Sequence, residues 1–254
     1  MTDSYDRFGG KVAIVTGAGS GIGKAVAERL AAEGAAVSGL DLNLEAAQAT
    51  VDGITAAGGT ATALQVDVSD ETSVDAAVAA AVDAHGRPDV VCNIAGIGTF
   101  AWTHEMPVEL WNRIIGVNLT GTFLMSRATI PHLLDGGGVI VNTASTAGIF
   151  GQPWSAAYCG SKGGVIMLTK AMAEEYEETS LRVNAVAPGG IETPIQKDFY
   201  NVPEGGDGKK LYKMMTAKGM ISPEELAATF AHVASDDARY MNGSIVVVDG
   251  GLTA

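Results

Sequence analysis

Two side chains in this sequence stand at a spacing that lets them share proton chemistry. Tyr158 and Lys162 lie four apart in a stretch of helical pattern, which puts them on one face. A Tyr-x-x-x-Lys pair is common by chance, but of the six tyrosines only Tyr158 has a lysine four residues on. A free phenol ionises near pH ~10, too high for a base at neutral pH. A neighbouring ammonium favours the phenolate and lowers that value. Ser145 follows an apolar run just upstream and can hold a substrate oxygen by hydrogen bond. The three fit proton transfer to and from an alcohol.

A second cluster suits a phosphate group. The first apolar run leads into Thr16-Gly17-Ala18-Gly19-Ser20-Gly21-Ile22-Gly23. Glycines let the backbone turn tightly against a pyrophosphate, which the exposed N–H groups of a following helix attract. The chain has 33 glycines, so position carries the argument: this turn joins the first strand to the first helix of a βαβ unit. Asp41 ends the second strand about 20 residues further on, where a carboxylate accepts hydrogen bonds from the adenosine ribose of a dinucleotide. It would repel the 2′-phosphate of NADP, and no Arg or Lys stands at Ser20, Leu42 or Asn43 to offset it. NAD is therefore the expected cofactor, and its positive ring would further favour a Tyr158 phenolate. Asp67, ending the third strand, reads either as a partner of the adenine amine or as a helix-capping aspartate.

These groups need a scaffold, and the chain supplies it as alternating strands and helices. Strands are expected at Lys11–Val15, Ala36–Leu40, Ala61–Val66, Val90–Asn93, Gly138–Asn142, Arg182–Ala187 and Ser244–Val248. Helices are expected at Gly21–Glu33, Leu44–Ala57, from a Ser69 cap to His85, at Ala156–Glu178 and at Pro223–Ser235, with one or two in Pro107–Leu134. The strands lack polar alternation, as strands buried on both faces do. Repeated βαβ units with right-handed crossovers give an α/β fold, a doubly wound parallel sheet of Rossmann type with helices on both faces. No linker or internal repeat divides it, so one domain is expected over 1–254, with a functional or mobile lid at about 195–220.

Composition narrows the function. Across 254 residues the net charge is −13, which argues against nucleic-acid or membrane partners. No apolar run is long enough to span a bilayer, and the N-terminus has no basic region followed by an apolar stretch. Cys92 and Cys159 suggest neither a disulfide framework nor a metal site, so a cytoplasmic protein without metal is expected.

Taken in order, the motifs resemble the short-chain dehydrogenases/reductases, in their compact, 3-oxoacyl-carrier-reductase-like subgroup. The resemblance rests on Thr16-Gly-x-x-x-Gly-x-Gly23, Asp67, Asn93-x-Ala-Gly96, Asn118, Ser145, Tyr158-x-x-x-Lys162 and Pro188-Gly189, and covers nearly the whole chain. It implies that Tyr158 is the general acid/base, that Lys162 binds the nicotinamide ribose and lowers the tyrosine pKa, and that Ser145 orients the substrate. Asn118, in a helix, would hold a water relaying protons from Lys162. The implied cofactor contacts are Gly17, Ser20, Gly21, Ile22, Asp41, Leu42, Asp67, Val68, Asn93, Ala95, Gly96, Tyr158, Lys162, Pro188, Gly189, Ile191 and Thr193. Two departures from the family pattern, Ile94 and Ala144, imply changes of packing rather than lost activity. The family also implies a homotetramer, paired through the long helices and through the last strand, although that strand equally reads as a buried edge.

The function expected is interconversion of a secondary alcohol and a ketone, with NAD pointing towards oxidation. Ile97, Thr99, Phe100, Ala147, Phe150, Trp154, Gly190, Ile191, Phe199, Tyr200, Met214 and Met215 are expected around the substrate and suggest an apolar body. Lys197, Lys209, Lys210, Lys213 and Lys218 are five of the chain's 16 basic residues. They read as a solvated lid helix, or as a grip on an anionic handle. The alternatives are a 3-oxoacyl-thioester reductase, disfavoured by Asp41 and the acidic surface, and a dinucleotide sensor without catalysis.

Overall fold

The computed structural model describes residues 6–199 and 201–254, so the N-terminal reading at Met1–Tyr5 and the substrate contact expected at Tyr200 lie outside the described residues. Seven parallel strands run in the order β3-β2-β1-β4-β5-β6-β7. They are β1 (Val12–Thr16), β2 (Ala36–Asp41), β3 (Thr60–Gln65), β4 (Val90–Asn93), β5 (Gly138–Thr143), β6 (Leu181–Pro188) and β7 (Ile245–Val248). Seven α-helices cover them: α1 (Gly21–Ala32), α2 (Leu44–Ala56), α3 (Glu71–His85), α4 (Val108–Ile115), α5 (Gly121–Leu134), α6 (Ala156–Glu175) and α7 (Pro223–Ala234).

The unbroken apolar strands are explained by cores on both faces of the sheet. Successive side chains alternate between faces. Ala13, Val15, Cys92 and Val141 pack with α1 and α7, whereas Ile14, Val91 and Ile140 pack with α3, α5 and α6. Ile94, the departure from the family pattern, is buried in the first of these cores.

Local chemistry sets the helix ends. Pro223 at the first turn of α7 follows a capping box in which Ser222 and Glu225 bond each other's backbone. The cap of α3 differs from expectation. Asp70, not Ser69, accepts from the Ser73 N–H at 2.7 Å, while the Ser69 hydroxyl donates to Asp67 at 2.6 Å. Two adjacent residues could each cap, and Asp67 claims the first. α6 stops at Glu175, one turn short of the expected end. Between α4 and α5 the chain widens into a π-helical turn, Gly116–Thr120.

Where strand order reverses, between β1 and β4, a crevice opens at the carboxyl ends of the strands, the usual ligand position in such sheets. Thr16 spans this point, its hydroxyl accepting the N–H groups of Ile94 and Ala95 at 2.9 and 3.1 Å. The lid segment is rooted by a parallel bridge between Ile191 and Ile221. It holds two 3-10 turns, Pro194–Phe199 and Gly208–Met214, in place of the expected lid helix.

Candidate active site

A cleft of about 770 Å³ lies at this crossover. On its phosphate side stand Gly17, Ser20, Gly21 and Ile22; on its ribose and adenine side Asp41, Leu42, Asp67 and Val68. Ala95, Gly96, Tyr158, Lys162 and Thr193 line the remainder. Four expected contacts fall off the lining. Asn93 is buried in the sheet, its amide donating to Ser126 and Asn142. Ile191 is 3% exposed with its side chain packed into the core, which leaves its backbone to meet either expected role, cofactor contact or substrate wall. Pro188 and Gly189 close the end of β6, where the Gly189 N–H pairs with Val248.

The glycine turn has the shape a pyrophosphate needs. Gly17 has φ +70°, and a Cβ there would sit 3.1 Å from the Ala95 backbone. A Cβ on Gly23 would lie 2.1 Å from the Gly17 carbonyl oxygen, so any side chain would push α1 off the turn. No side chain caps α1 at Ser20, which leaves its first N–H groups for an anion. Asp41 is held by two backbone donors, Gly19 and Asn43, both at 2.9 Å. The residues present therefore fit a dinucleotide, with a carboxylate fixed at the ribose end.

At the other end the alcohol chemistry assembles. Ser145, 8% exposed, accepts from the Ala147 N–H at 3.1 Å and stands near enough to the Tyr158 phenol to act on it. Lys162 is 3% exposed and donates to the Thr143 carbonyl at 2.7 Å, its ammonium 5.7 Å from the centre of the Tyr158 ring. Tyr158 keeps part of its surface open, yet the packing around its phenol pushes the pKa up to about 12, against the lowering effect of Ser145. In the protein alone burial dominates, and Lys162 is not among the groups that shift the phenol. Burial in turn drives Lys162 down to about 8.

Asn118 sits on the π-helical turn and is fully buried. Its oxygen accepts the Ile97 N–H at 2.8 Å, and its amide donates to the Ile97 carbonyl at 2.9 Å and to Ser161 at 3.0 Å. Both amide protons are spent, so a relay water could attach only to the oxygen's second lone pair. Ser161, which also donates to the Tyr158 carbonyl at 2.8 Å, carries no sequence signal of this role. Arg113 is a cation on the cleft that the motifs do not reveal.

Asp67 lines the cleft while one oxygen accepts from the Ser69 N–H and hydroxyl; because Asp70 caps α3, Asp67 is not the capping aspartate. Phe100, Trp154 and Phe199 meet ring against ring beside Tyr158. Met215 is 64% exposed on the lid. The five lid lysines are exposed and none lines the cleft, which matches a solvated lid rather than a grip on substrate.

Known proteins with similar sequences carry related chemistry. A family model described as Enoyl-(Acyl carrier protein) reductase matches residues 17–253. Cyclohexanol dehydrogenase of Acinetobacter sp. is 42% identical over 251 residues, covering 98% of this chain and 97% of that protein. 3beta-Hydroxysteroid dehydrogenase 1 of Eggerthella lenta is 42% identical over 252 residues, with 98% and 96% covered. Among solved structures, 3-ketoacyl-(acyl-carrier-protein) reductase from Brucella melitensis complexed with NADH is 37% identical, with a TM-score of 0.88 over 97% of this chain and 100% of that one.

Proposed function

The chain belongs to the short-chain dehydrogenase/reductase family, and from that premise we propose that it is an NAD-linked dehydrogenase of secondary alcohols with an apolar body. One observation carries the reading: Tyr158 and Lys162, with Ser145 behind the phenol, stand at one end of a cleft whose other end holds a fixed carboxylate, Asp41. The names of the relatives support an alcohol or ketone substrate, and the aromatic surroundings of Tyr158 support its apolar body.

In this reading the Ser145 hydroxyl holds the substrate oxygen, and the Tyr158 phenolate takes the alcohol proton in oxidation. The same phenol returns a proton to the carbonyl in reduction. Proton transfer of this kind is worth about 10²–10⁴-fold in rate. Lys162, anchored on Thr143, presents its other N–H donors to the nicotinamide ribose and holds positive charge near the phenolate. Asn118 locks the chain after β4 against α6 and offers one lone pair to a relay water. Bound NAD supplies the hydride acceptor. The glycine turn and the α1 N-terminus hold the pyrophosphate, and Asp41 takes the ribose hydroxyls and repels a 2′-phosphate. The chain acts as one domain with a lid at 195–220, as a homotetramer. Its two free cysteines support a reducing, cytoplasmic compartment.

The test follows NADH absorbance with secondary alcohols, hydroxysteroids and 3-hydroxyacyl thioesters, with NAD and NADP side by side. NAD-linked alcohol turnover that falls at least 10²-fold in Tyr158→Phe, with NADH binding retained, is expected. Preference for NADP would overturn the role of Asp41, and turnover of acyl thioesters alone would make the chain a 3-oxoacyl reductase.

A further inference from the structure

The aromatic side chains around Tyr158 form a continuous structure. Phe199, on the lid, meets the Tyr158 ring at 5.1 Å between centres and 67° between planes. It meets Phe100 at 5.1 Å and 76°. Phe100 in turn meets Trp154 at 5.7 Å, and Trp154 meets Trp102 at 5.9 Å. Four edge-to-face contacts thus run from the expected acid/base back beneath the lid.

Phe199 can occupy this place only because position 98 has no side chain. A Cβ on Gly98 would lie 2.3 Å from the Phe199 Cζ and 2.8 Å from the Tyr158 Cδ2. The lid is held on either side of the ring. Thr99 donates to the Asp198 carbonyl at 3.4 Å, and the Trp102 indole donates to the Glu204 carbonyl at 2.9 Å. The rear wall is set against local preference. Trp154 has φ 61°, the one non-glycine residue in the left-handed region among those described. It is 5% exposed, and its indole N–H has no acceptor. The Trp154 carbonyl accepts the Ala101 N–H at 2.9 Å, but the indole gains no hydrogen bond, and its ring is placed by edge contacts with Phe100 and Trp102.

We propose that Phe199, seated over Gly98 against Tyr158, is the specificity-determining residue of this site, selecting flat or ring-shaped secondary alcohols over those branched beside the carbinol carbon. The inference rests on the alcohol dehydrogenase reading and deepens it. A substrate reaching Tyr158 and Ser145 must displace the Phe199 edge or pack against it. A tied-back ring presents a compact apolar face to the Phe199 edge, whereas a quaternary carbon next to the carbinol collides with the wall.

Three alcohols of equal carbon number separate the cases: cyclohexanol, 2-hexanol and 3,3-dimethyl-2-butanol. They are compared in wild type, Phe199→Ala and Phe199→Leu, with NADH affinity and thermal midpoint measured on each protein. The wild type is expected to favour cyclohexanol over the branched alcohol about tenfold or more in kcat/KM, the range open to a shape difference in an apolar pocket. In Phe199→Ala that preference falls at least tenfold, because KM for cyclohexanol rises and the branched alcohol gains, while kcat for cyclohexanol stays within about threefold. Phe199→Leu, which keeps apolar bulk without flatness, falls between. A preference unchanged within threefold in Phe199→Ala overturns the proposal, as does loss of kcat on all three alcohols. Failure of the underlying reading looks different: no alcohol reacts with the wild type, or Tyr158→Phe keeps full activity.

Discussion

Lys162 carries a cost of folding that its chemistry explains. Its ammonium is nearly fully buried, with one protein acceptor, the Thr143 carbonyl. Burial disfavours the charged form and lowers the pKa to about 8. Below that value the folded chain holds an ammonium it solvates poorly. Between about 8 and the ordinary lysine value of about 10.5 the folded state has released a proton that the unfolded state keeps, so this group's contribution to stability rises with pH there. Lys162→Met is therefore expected to leave the cofactor-free protein as stable as wild type at pH 7 or to raise its stability by about 1–2 kcal/mol, an increase of roughly 2–8 °C in Tm. The gap should narrow as pH climbs through 8. The variant should lose dehydrogenase activity at least 10²-fold, with any residual pH–rate limb moved upward. Thermal scans at three pH values and steady-state rates check both halves. A clear drop in Tm at pH 7 would mean that the ammonium is better solvated than its contacts show. At this scale the sequence was informative, because Tyr158, Lys162, Ser145 and Asp41 announce themselves by residue type. Asn93 and Ile191 share motifs with cleft residues but turn their side chains into sheet and core, which a motif does not encode.

The elements that hold these residues were less legible where local signals compete. Strand existence followed from apolar runs, and α7 from Ser222, Pro223 and Glu225. The cap of α3 moved by one residue because Ser69 and Asp70 are both good caps and only the pairing with Asp67 decides between them. The π-helical turn is invisible in sequence, since one widened turn leaves the apolar spacing almost unchanged. Its effect is to place Asn118 against Ile97 and Ser161, joining the end of β4 to α6. Removing that amide strands the Ile97 N–H and carbonyl, each costing about 1–3 kcal/mol when buried and unpaired. Asn118→Ala is expected to lose about 2–4 kcal/mol of stability and roughly 5–15 °C in Tm, and to weaken NADH binding through the displaced Gly96. Thermal unfolding with and without NADH measures this. An unchanged Tm with activity alone lost would make Asn118 a pure relay residue and remove the clamp.

Across the whole molecule, strand order determined where the cleft opens, and alternating strands and helices were enough to read it. Surface apolarity was not readable in the same way, because exposure follows from packing that only the folded chain defines. On the helices covering one side of the sheet, Val108 is 66% exposed, Trp111 40%, Phe123 44% and Met167 62%. β7 leaves Val247 41% exposed at a sheet edge. A chain of net charge −13 resists association with its own copies. Salt weakens that repulsion, since the screening length falls from about 10 Å at 0.1 M to about 3 Å at 1 M. Apolar contact is not screened in this way. The proposed homotetramer should therefore tighten as salt rises, the opposite of an assembly held by ion pairs. Substituting Phe123→Glu and Met167→Glu together adds charge and removes apolar area on one face, and should yield dimers held by the remaining interface. Sedimentation velocity at low and at near-molar salt distinguishes the cases. A wild-type monomer at every salt concentration would overturn the tetramer. A tetramer that survives both substitutions would place its helical interface elsewhere and leave the exposed apolar face of α4, α5 and α6 to some other contact.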